Sequence, residues 1–153
     1  VSLPEIDEHY RMIMNSKGKL NTIKISKDES SIKPCKIVNK VMAKKGIVQI
    51  SLFDSRNIML KKGDKASYRV GDTLLISLPD QKIKEHFSLE KGSIVYLIGG
   101  KQIGKTGKIE DIKGDVLKFR LHGGEIVETA KRYAFVIGSS KPSITLEKAE
   151  KAE

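Results

Sequence analysis

Tryptophan is absent from this 153-residue chain, which has only one cysteine, four prolines, four tyrosines and four phenylalanines. A lone Cys35 excludes an internal disulfide framework, suits a reducing cytoplasm and cannot build a thiolate metal site by itself. His9, His86 and His122 are too scattered for zinc-ligand spacing, so neither a metal nor another cofactor is expected. Aromatics are 5% of the chain, too few for a reader that stacks each base of a single strand on a ring. No apolar run approaches the roughly 18 residues of a membrane-spanning helix. Val1-Ser2-Leu3-Pro4 leads directly into Glu5, Asp7 and Glu8, unlike a secretory signal. These absences describe a soluble chain without a membrane partner, and a first residue other than Met suggests a fragment. Also missing are a G-x-S-x-G elbow, a Cys-His pairing in sequence context and a paired-carboxylate signature, so catalysis is not expected.

Positive charge is what the chain has in excess. Lys and Arg number 29 against 19 Asp and Glu, a net charge of +10, which points to a polyanionic partner. Residues 1–88 hold 17 basic and 10 acidic side chains, residues 89–140 hold 9 and 6, and residues 141–153 hold 3 of each. The excess therefore belongs to both folded halves and not to a tail. Between Ser30 and Phe53 there are five lysines, Lys33, Lys36, Lys40, Lys44 and Lys45, and no acid. Such a ribbon suits backbone phosphates, while its plainer reading is a solvated face.

The segment from Gly92 to Ile112 fits two motifs of opposite meaning. Gly99-x-x-x-x-Gly104-Lys105-Thr106 satisfies the P-loop expression of nucleotide enzymes. The same residues satisfy the KOW pattern of ribosomal proteins and transcription factors, in which glycines connect two alternating strands. A P-loop needs a helix at the Lys-Thr pair so that backbone N–H groups converge on phosphates. Here Gly107 follows Thr106, and Gly114-Asp115 turns the chain within ten residues of Lys105. A strand entering a hairpin fits those residues and an amphipathic helix does not, so no nucleotide is expected to bind.

Turn residues recur every eight to twelve positions along the chain, the spacing of an all-β sandwich or barrel. Residues 10–14 and 20–25 flank Asn15-Ser16-Lys17-Gly18 as a hairpin. Ser26-Lys27-Asp28-Glu29 is a capping box that predicts one short helix to about Ile32. Strands follow at residues 35–43, 47–53, 58–60, 73–78 and 82–87, with an exposed loop at 61–65. Residues 94–98, 108–112, 116–121, 125–129 and 134–137 then give five strands, enough for a small Src-homology-like barrel that removes most free sheet edges. The expected architecture is mainly β, with two small β-barrel-like domains in tandem. Its divisions are 1–12 as the end of a preceding domain, 13–88 as a central β domain, 89–140 as the KOW barrel and 141–153 as a tail. Residues 147–153 are good helix formers without an evident packing face.

With these residues in place, the whole chain resembles the archaeal and eukaryotic ribosomal S-four-e family. The resemblance runs through Glu8-His9-Tyr10-Arg11, Lys45-Gly46-Ile47, Asp54-Ser55-Arg56-Asn57-Ile58, Val70-Gly71-Asp72-Thr73, Gly99-Gly100, Gly104, Gly107 and Phe135-Val136-Ile137-Gly138. It implies three modules in series, an N-terminal RNA-binding domain of which most is missing here, a central β domain and a KOW barrel. Phe53 and Ser55 stand where the family usually has His and Gly or Ala, and Lys105 stands where Arg is common.

The resemblance implies a structural constituent of the small ribosomal subunit in the cytoplasm, a monomer outside the ribosome, with ribosomal RNA and neighbouring small-subunit proteins as partners. The candidate phosphate contacts are Lys33, Lys36, Lys40, Lys44, Lys45, Arg56, Lys101, Lys105, Lys108, Lys131 and Arg132. Glycines Gly99, Gly100, Gly104 and Gly107 allow close backbone approach and neutral N–H donors. The rival reading is a KOW-type protein-binding module of the transcription or translation machinery. An exposed apolar patch would favour that rival, and a continuous basic stripe across both domains would favour RNA.

Overall fold

The structure is a computed structural model that describes residues 1–43, 46–60 and 67–146. The lysine pair Lys44-Lys45, the loop expected at 61–65 and the helix-forming residues 147–153 lie outside the described residues. Within them, antiparallel strands build three sheets joined by short turns, as the all-β reading requires.

The first sheet has the order β1-β2-β3, from β1 (Ser2–Leu3), β2 (Glu8–Met14) and β3 (Leu20–Ile25). Its hairpin turn forms because Asn15 Oδ1 accepts the N–H groups of Lys17 and Lys19 at 2.9 and 3.0 Å. Gly18 supplies the left-handed residue at φ +73°. The expected 12/13 division falls inside β2.

Helix α1 (Lys27–Ser30) starts where the capping box predicts, with Ser26 Oγ accepting from Glu29 N at 3.2 Å. It stops at Ser30, short of Ile32. The Ser30 and Ser31 hydroxyls fold back onto the Lys27 and Asp28 carbonyls at 2.6 Å, and Ile32 already pairs with Ser77 in the next sheet. The Glu29 carboxylate holds the Arg11 guanidinium and accepts from the Thr145 N–H and hydroxyl at 2.6 and 2.9 Å, tying helix, hairpin and tail together. Burial alone would raise its pKa, but the Arg11 and Thr145 hydrogen bonds more than offset this and hold it below the ordinary value.

The second sheet runs β6-β5-β4-β7-β8, from β4 (Ile32–Met42), β5 (Val48–Leu52), β6 (Asn57–Leu60), β7 (Thr73–Ser77) and β8 (Ile83–Phe87). Long β4 serves two partners, β7 along its first half and β5 along its second, with a register shift between Ile37 and Asn39. Cys35, Ile37, Ile50, Leu52, Leu74 and Ile76 form its core. Burial, and then the neighbouring Asp54 charge, push the Cys35 thiol up to about 12, so it packs as an inert apolar group.

The third sheet is the KOW unit, ordered β12-β11-β10-β9-β13 from β9 (Ile94–Leu97), β10 (Thr106–Lys113), β11 (Val116–Leu121), β12 (Ile126–Ala130) and β13 (Ala134–Gly138). Thr106 opens a strand, so the residues that complete the P-loop expression lack the helix it needs.

Strand β7 is buried on both faces. Leu74 and Ile76 point into the central core, while Leu75 joins Phe87 in the KOW core of Val95, Leu97, Ile109, Leu117, Phe119 and Val136. Ile144 also enters that core, so the packing crosses the expected divisions at 88/89 and 140/141. A buried Leu or Phe contributes about 1.5–3 kcal/mol, which makes these shared side chains a material part of the KOW unit's stability. Buried Asp72 fixes the crossing from one core to the next. It accepts from Arg69 N and Leu89 N at 3.0 and 2.9 Å and lies 2.7 Å from His86 Nε2.

Candidate nucleic-acid interface

The lysines of β4 do not form one ribbon, because a strand sends successive side chains to opposite faces and the register shift re-aims those beyond it. Lys36 is the clearest correction to the sequence reading. It is 8% exposed, and its Nζ donates to the Arg132 and Ala134 carbonyls at 2.7 and 2.6 Å, pinning the central sheet to the KOW unit. Burial, and then the charge of Lys131, lower its pKa to about 8. An ammonium held this way has no phosphate to reach.

Lys33 donates to Asp54 Oδ2 at 2.7 Å, and Arg56 Nε sits 3.4 Å from the same oxygen. Burial would raise the Asp54 pKa, yet Lys33 and then Arg56 hold it below its ordinary value. One carboxylate between two cations leaves a single net positive charge. Ser55 bridges them at φ +68°, a position where Gly is usual because it has no Cβ penalty. Lys40 is exposed, but its Nζ donates to the Tyr68 carbonyl at 2.9 Å. Lys44 and Lys45 lie outside the described residues.

The KOW end differs. The connection from β9 to β10 is closed by Gly104 N donating to Leu97 O at 2.8 Å and Leu97 N donating to Lys105 O at 3.0 Å. Ile98 N donates to Tyr133 O at 3.0 Å, which brings the turn Lys131–Tyr133 beside this loop. The Arg132 guanidinium stacks on the Tyr133 ring at 4.9 Å from its centroid. Lys101, Lys105 and Arg132 are exposed and Lys131 is half-buried. None of these four pairs with a carboxylate among the described residues. Lys108 lies two residues along β10 from Thr106, in a mixed patch with Lys91, Glu110 and Arg120.

The loop glycines act through close approach of protein to protein. A Cβ on Gly99 would lie 2.5 Å from the Tyr133 ring, one on Gly104 2.5 Å from the Asn15 carbonyl carbon, and one on Gly107 2.5 Å from the Arg120 carbonyl oxygen. Gly100 and Gly104 also have φ of +78° and +77°. Because Gly104 spends its N–H on Leu97, it is not the free donor expected from the sequence.

The Gly104 contact brings in two residues that the sequence reading missed. It seats the turn of the first hairpin, with exposed Lys17 and Lys19, against the KOW loop. The signal was present in the sequence, since no acid occurs between Glu8 and Asp28 or between Glu90 and Glu110. The site is thus a cluster of Lys17, Lys19, Lys101, Lys105, Lys131 and Arg132 at one end of the KOW unit, and among the described residues no stripe continues from it across the central sheet.

Substituting Lys36 tests its role as a pin. Lys36→Met should destabilise the fold by about 1 kcal/mol at neutral pH, since two carbonyls lose their donor while the cost of a buried charge is removed. The pH dependence carries the sign. A lysine whose folded pKa lies near 8, below the ordinary lysine value of 10.5, binds fewer protons folded than unfolded in that window, so wild-type stability rises there relative to the variant. Denaturant melts at pH 7 and pH 10 should show that widening gap, and an unchanged gap would mean Lys36 is solvated.

Comparison with known proteins matches residues 6–83 to the family described as Ribosomal family S4e. The chain is 40% identical over 157 aligned residues to the small ribosomal subunit protein eS4 of Methanocaldococcus jannaschii, covering 95% of this chain and 63% of the relative. It is 35% identical to the protein of the same name from Methanococcus maripaludis, with the same coverages. Among solved structures, the 30S ribosomal protein S4e of Thermoplasma acidophilum superposes with a TM-score of 0.76 at 30% identity, covering 92% of this chain and 71% of that one. The chain therefore spans less than two thirds of the length of these curated relatives.

Proposed function

The chain belongs to the ribosomal S4e family, and from that premise we propose that it binds folded ribosomal RNA as a non-catalytic structural constituent of the small ribosomal subunit in the cytoplasm. The observation that carries this reading is the KOW-end cluster, where Lys101, Lys105, Lys131 and Arg132 have no carboxylate partner among the described residues. Cations left without a carboxylate partner are available to phosphates, and phosphate contact supplies affinity without reading sequence. The abutting turn with Lys17 and Lys19 extends the cluster onto a second sheet, which suits the shape of a folded RNA better than a single strand. In this reading the partners are ribosomal RNA and adjoining small-subunit proteins, the chain is a monomer outside the ribosome, and no nucleotide is bound.

The test is a titration of the chain with a structured small-subunit RNA fragment at several salt concentrations. The logarithm of affinity should fall linearly with the logarithm of salt, by roughly 0.7–0.9 per phosphate neutralised. A salt-independent affinity would reject the mechanism.

A further inference from the structure

Arg132 is the one planar cation in a cluster otherwise made of lysines, and it is held in a particular way. Its guanidinium carbon lies 4.9 Å from the centre of the Tyr133 ring, and its Nη2 donates to the Tyr133 hydroxyl at 3.0 Å. These two contacts restrict how the guanidinium plane turns, while the side chain stays exposed. A guanidinium so placed can stack a further flat group on its open side, which an ammonium cannot.

The ring beneath it is seated in turn. A Cβ on Gly99 would meet ring atoms Cδ1 and Cε1 at 2.5 and 2.7 Å, and one on Gly100 would meet Cδ2 and Cε2 at 3.2 and 3.4 Å, so the ring lies against bare glycine backbone. The backbone that carries the pair is fixed as well. Lys36 Nζ donates to the Arg132 and Ala134 carbonyls at 2.7 and 2.6 Å, and Ile98 N donates to the Tyr133 carbonyl between them at 3.0 Å. Lys131 N donates to Asp115 O at 2.8 Å at the start of the turn. Three successive carbonyls are therefore held. A phosphate gains little from that order, since a flexible lysine neutralises it as well. A stacking surface gains much, because the freedom of its side chains is already given up before binding.

We propose that Arg132 and Tyr133 form a platform on which the bound RNA stacks one unpaired base, a bulged or looped-out nucleotide whose flanking phosphates are taken by the neighbouring Lys101 and Lys105. The proposal rests on the RNA reading and adds to it the feature of the RNA that is recognised. Bases inside a helix stack on one another and offer no free face, whereas an extruded base does. Every base has such a face, so the platform reads RNA shape and not base identity. A single platform also suits a chain that is only 5% aromatic, too few rings to stack base after base. In a fully paired RNA, Arg132 contributes its charge alone.

The test uses the 153-residue chain and three RNA hairpins with the same stem, one fully paired, one with a bulged adenosine and one with that nucleotide made abasic. The abasic form keeps the phosphate of the bulge and removes only the base. At several salt concentrations the adenosine bulge should bind about tenfold tighter than the abasic one, towards the lower end of what one stacked base contributes, with the same salt slope. A bulged uridine should bind within about threefold of adenosine. Arg132→Lys keeps the charge and loses the plane, so it should erase the difference between adenosine and abasic bulges while leaving the salt slope and the affinity for the paired hairpin unchanged. Equal wild-type affinity for the adenosine and abasic bulges would overturn the platform and leave the RNA reading standing. That comparison alters only the RNA, so its result holds even if a variant folds poorly. A difference that survives in Arg132→Lys would overturn the platform too. Salt-independent binding of all three hairpins, or binding of none, would overturn the platform and the RNA reading together.

Discussion

Gly104→Ala should cost about 3–4 kcal/mol of stability, against about 1 kcal/mol for Gly124→Ala. The two glycines have nearly the same backbone, φ +77° and +83°, so the left-handed penalty of a Cβ is common to both. They differ in surroundings. A Cβ at Gly124 meets nothing within 4 Å, whereas one at Gly104 would lie 2.5–2.7 Å from the backbone of Asn15 and Ser16. A backbone cannot rotate out of the way as a side-chain tip can, so the hairpin turn must separate from the KOW loop. Denaturant unfolding of the two variants measures the difference directly, and equal losses would show that the loop and turn do not pack as described. The larger loss should come with weaker RNA binding, because the same movement carries Lys17 and Lys19 away from Lys101 and Lys105.

The distinction between packing and contact marks where the sequence was legible. Hairpins were readable because Gly and Asn at turns announce themselves locally, and the strands of the KOW unit fall within a few residues of their expected bounds. The rejection of the P-loop rested on Gly107 and on the alternation after it, and Thr106 does open a strand. Lysine roles were not legible in the same way. Lys33, Lys36 and Lys40 look alike in a run without acids, yet Asp54, two backbone carbonyls of the KOW unit and the Tyr68 carbonyl claim them one by one. Those partners lie 21, 96, 98 and 28 residues away along the chain, beyond the reach of any local pattern. The glycines were half legible. Close approach was foreseen, and the groups that approach within the chain are Tyr133, Asn15 and Arg120.

Replacing Lys101, Lys105 and Arg132 together by Gln should lower affinity for a structured ribosomal RNA about 100-fold near 0.15 M salt and flatten the log–log salt slope by two to three units, about 0.9 for each phosphate no longer neutralised. Each neutralised phosphate is worth about 0.7 log units of affinity at that salt, so three give the expected factor. Glutamine keeps much of the side-chain length, and all three residues are exposed, so the fold should hold. Because phosphate binding does not read sequence, the loss should be alike for RNAs of different sequence and similar shape. Lys36→Met is the decisive companion, since it removes one positive charge from the same chain. Its ammonium faces the Arg132 and Ala134 carbonyls, so it releases no counterion from RNA, and the slope should stay at the wild-type value. If the triple variant keeps the wild-type slope, the KOW-end cluster is a solvated face. If Lys36→Met flattens the slope as much as one exposed lysine does, affinity follows net charge alone and the geometry of the cluster confers nothing.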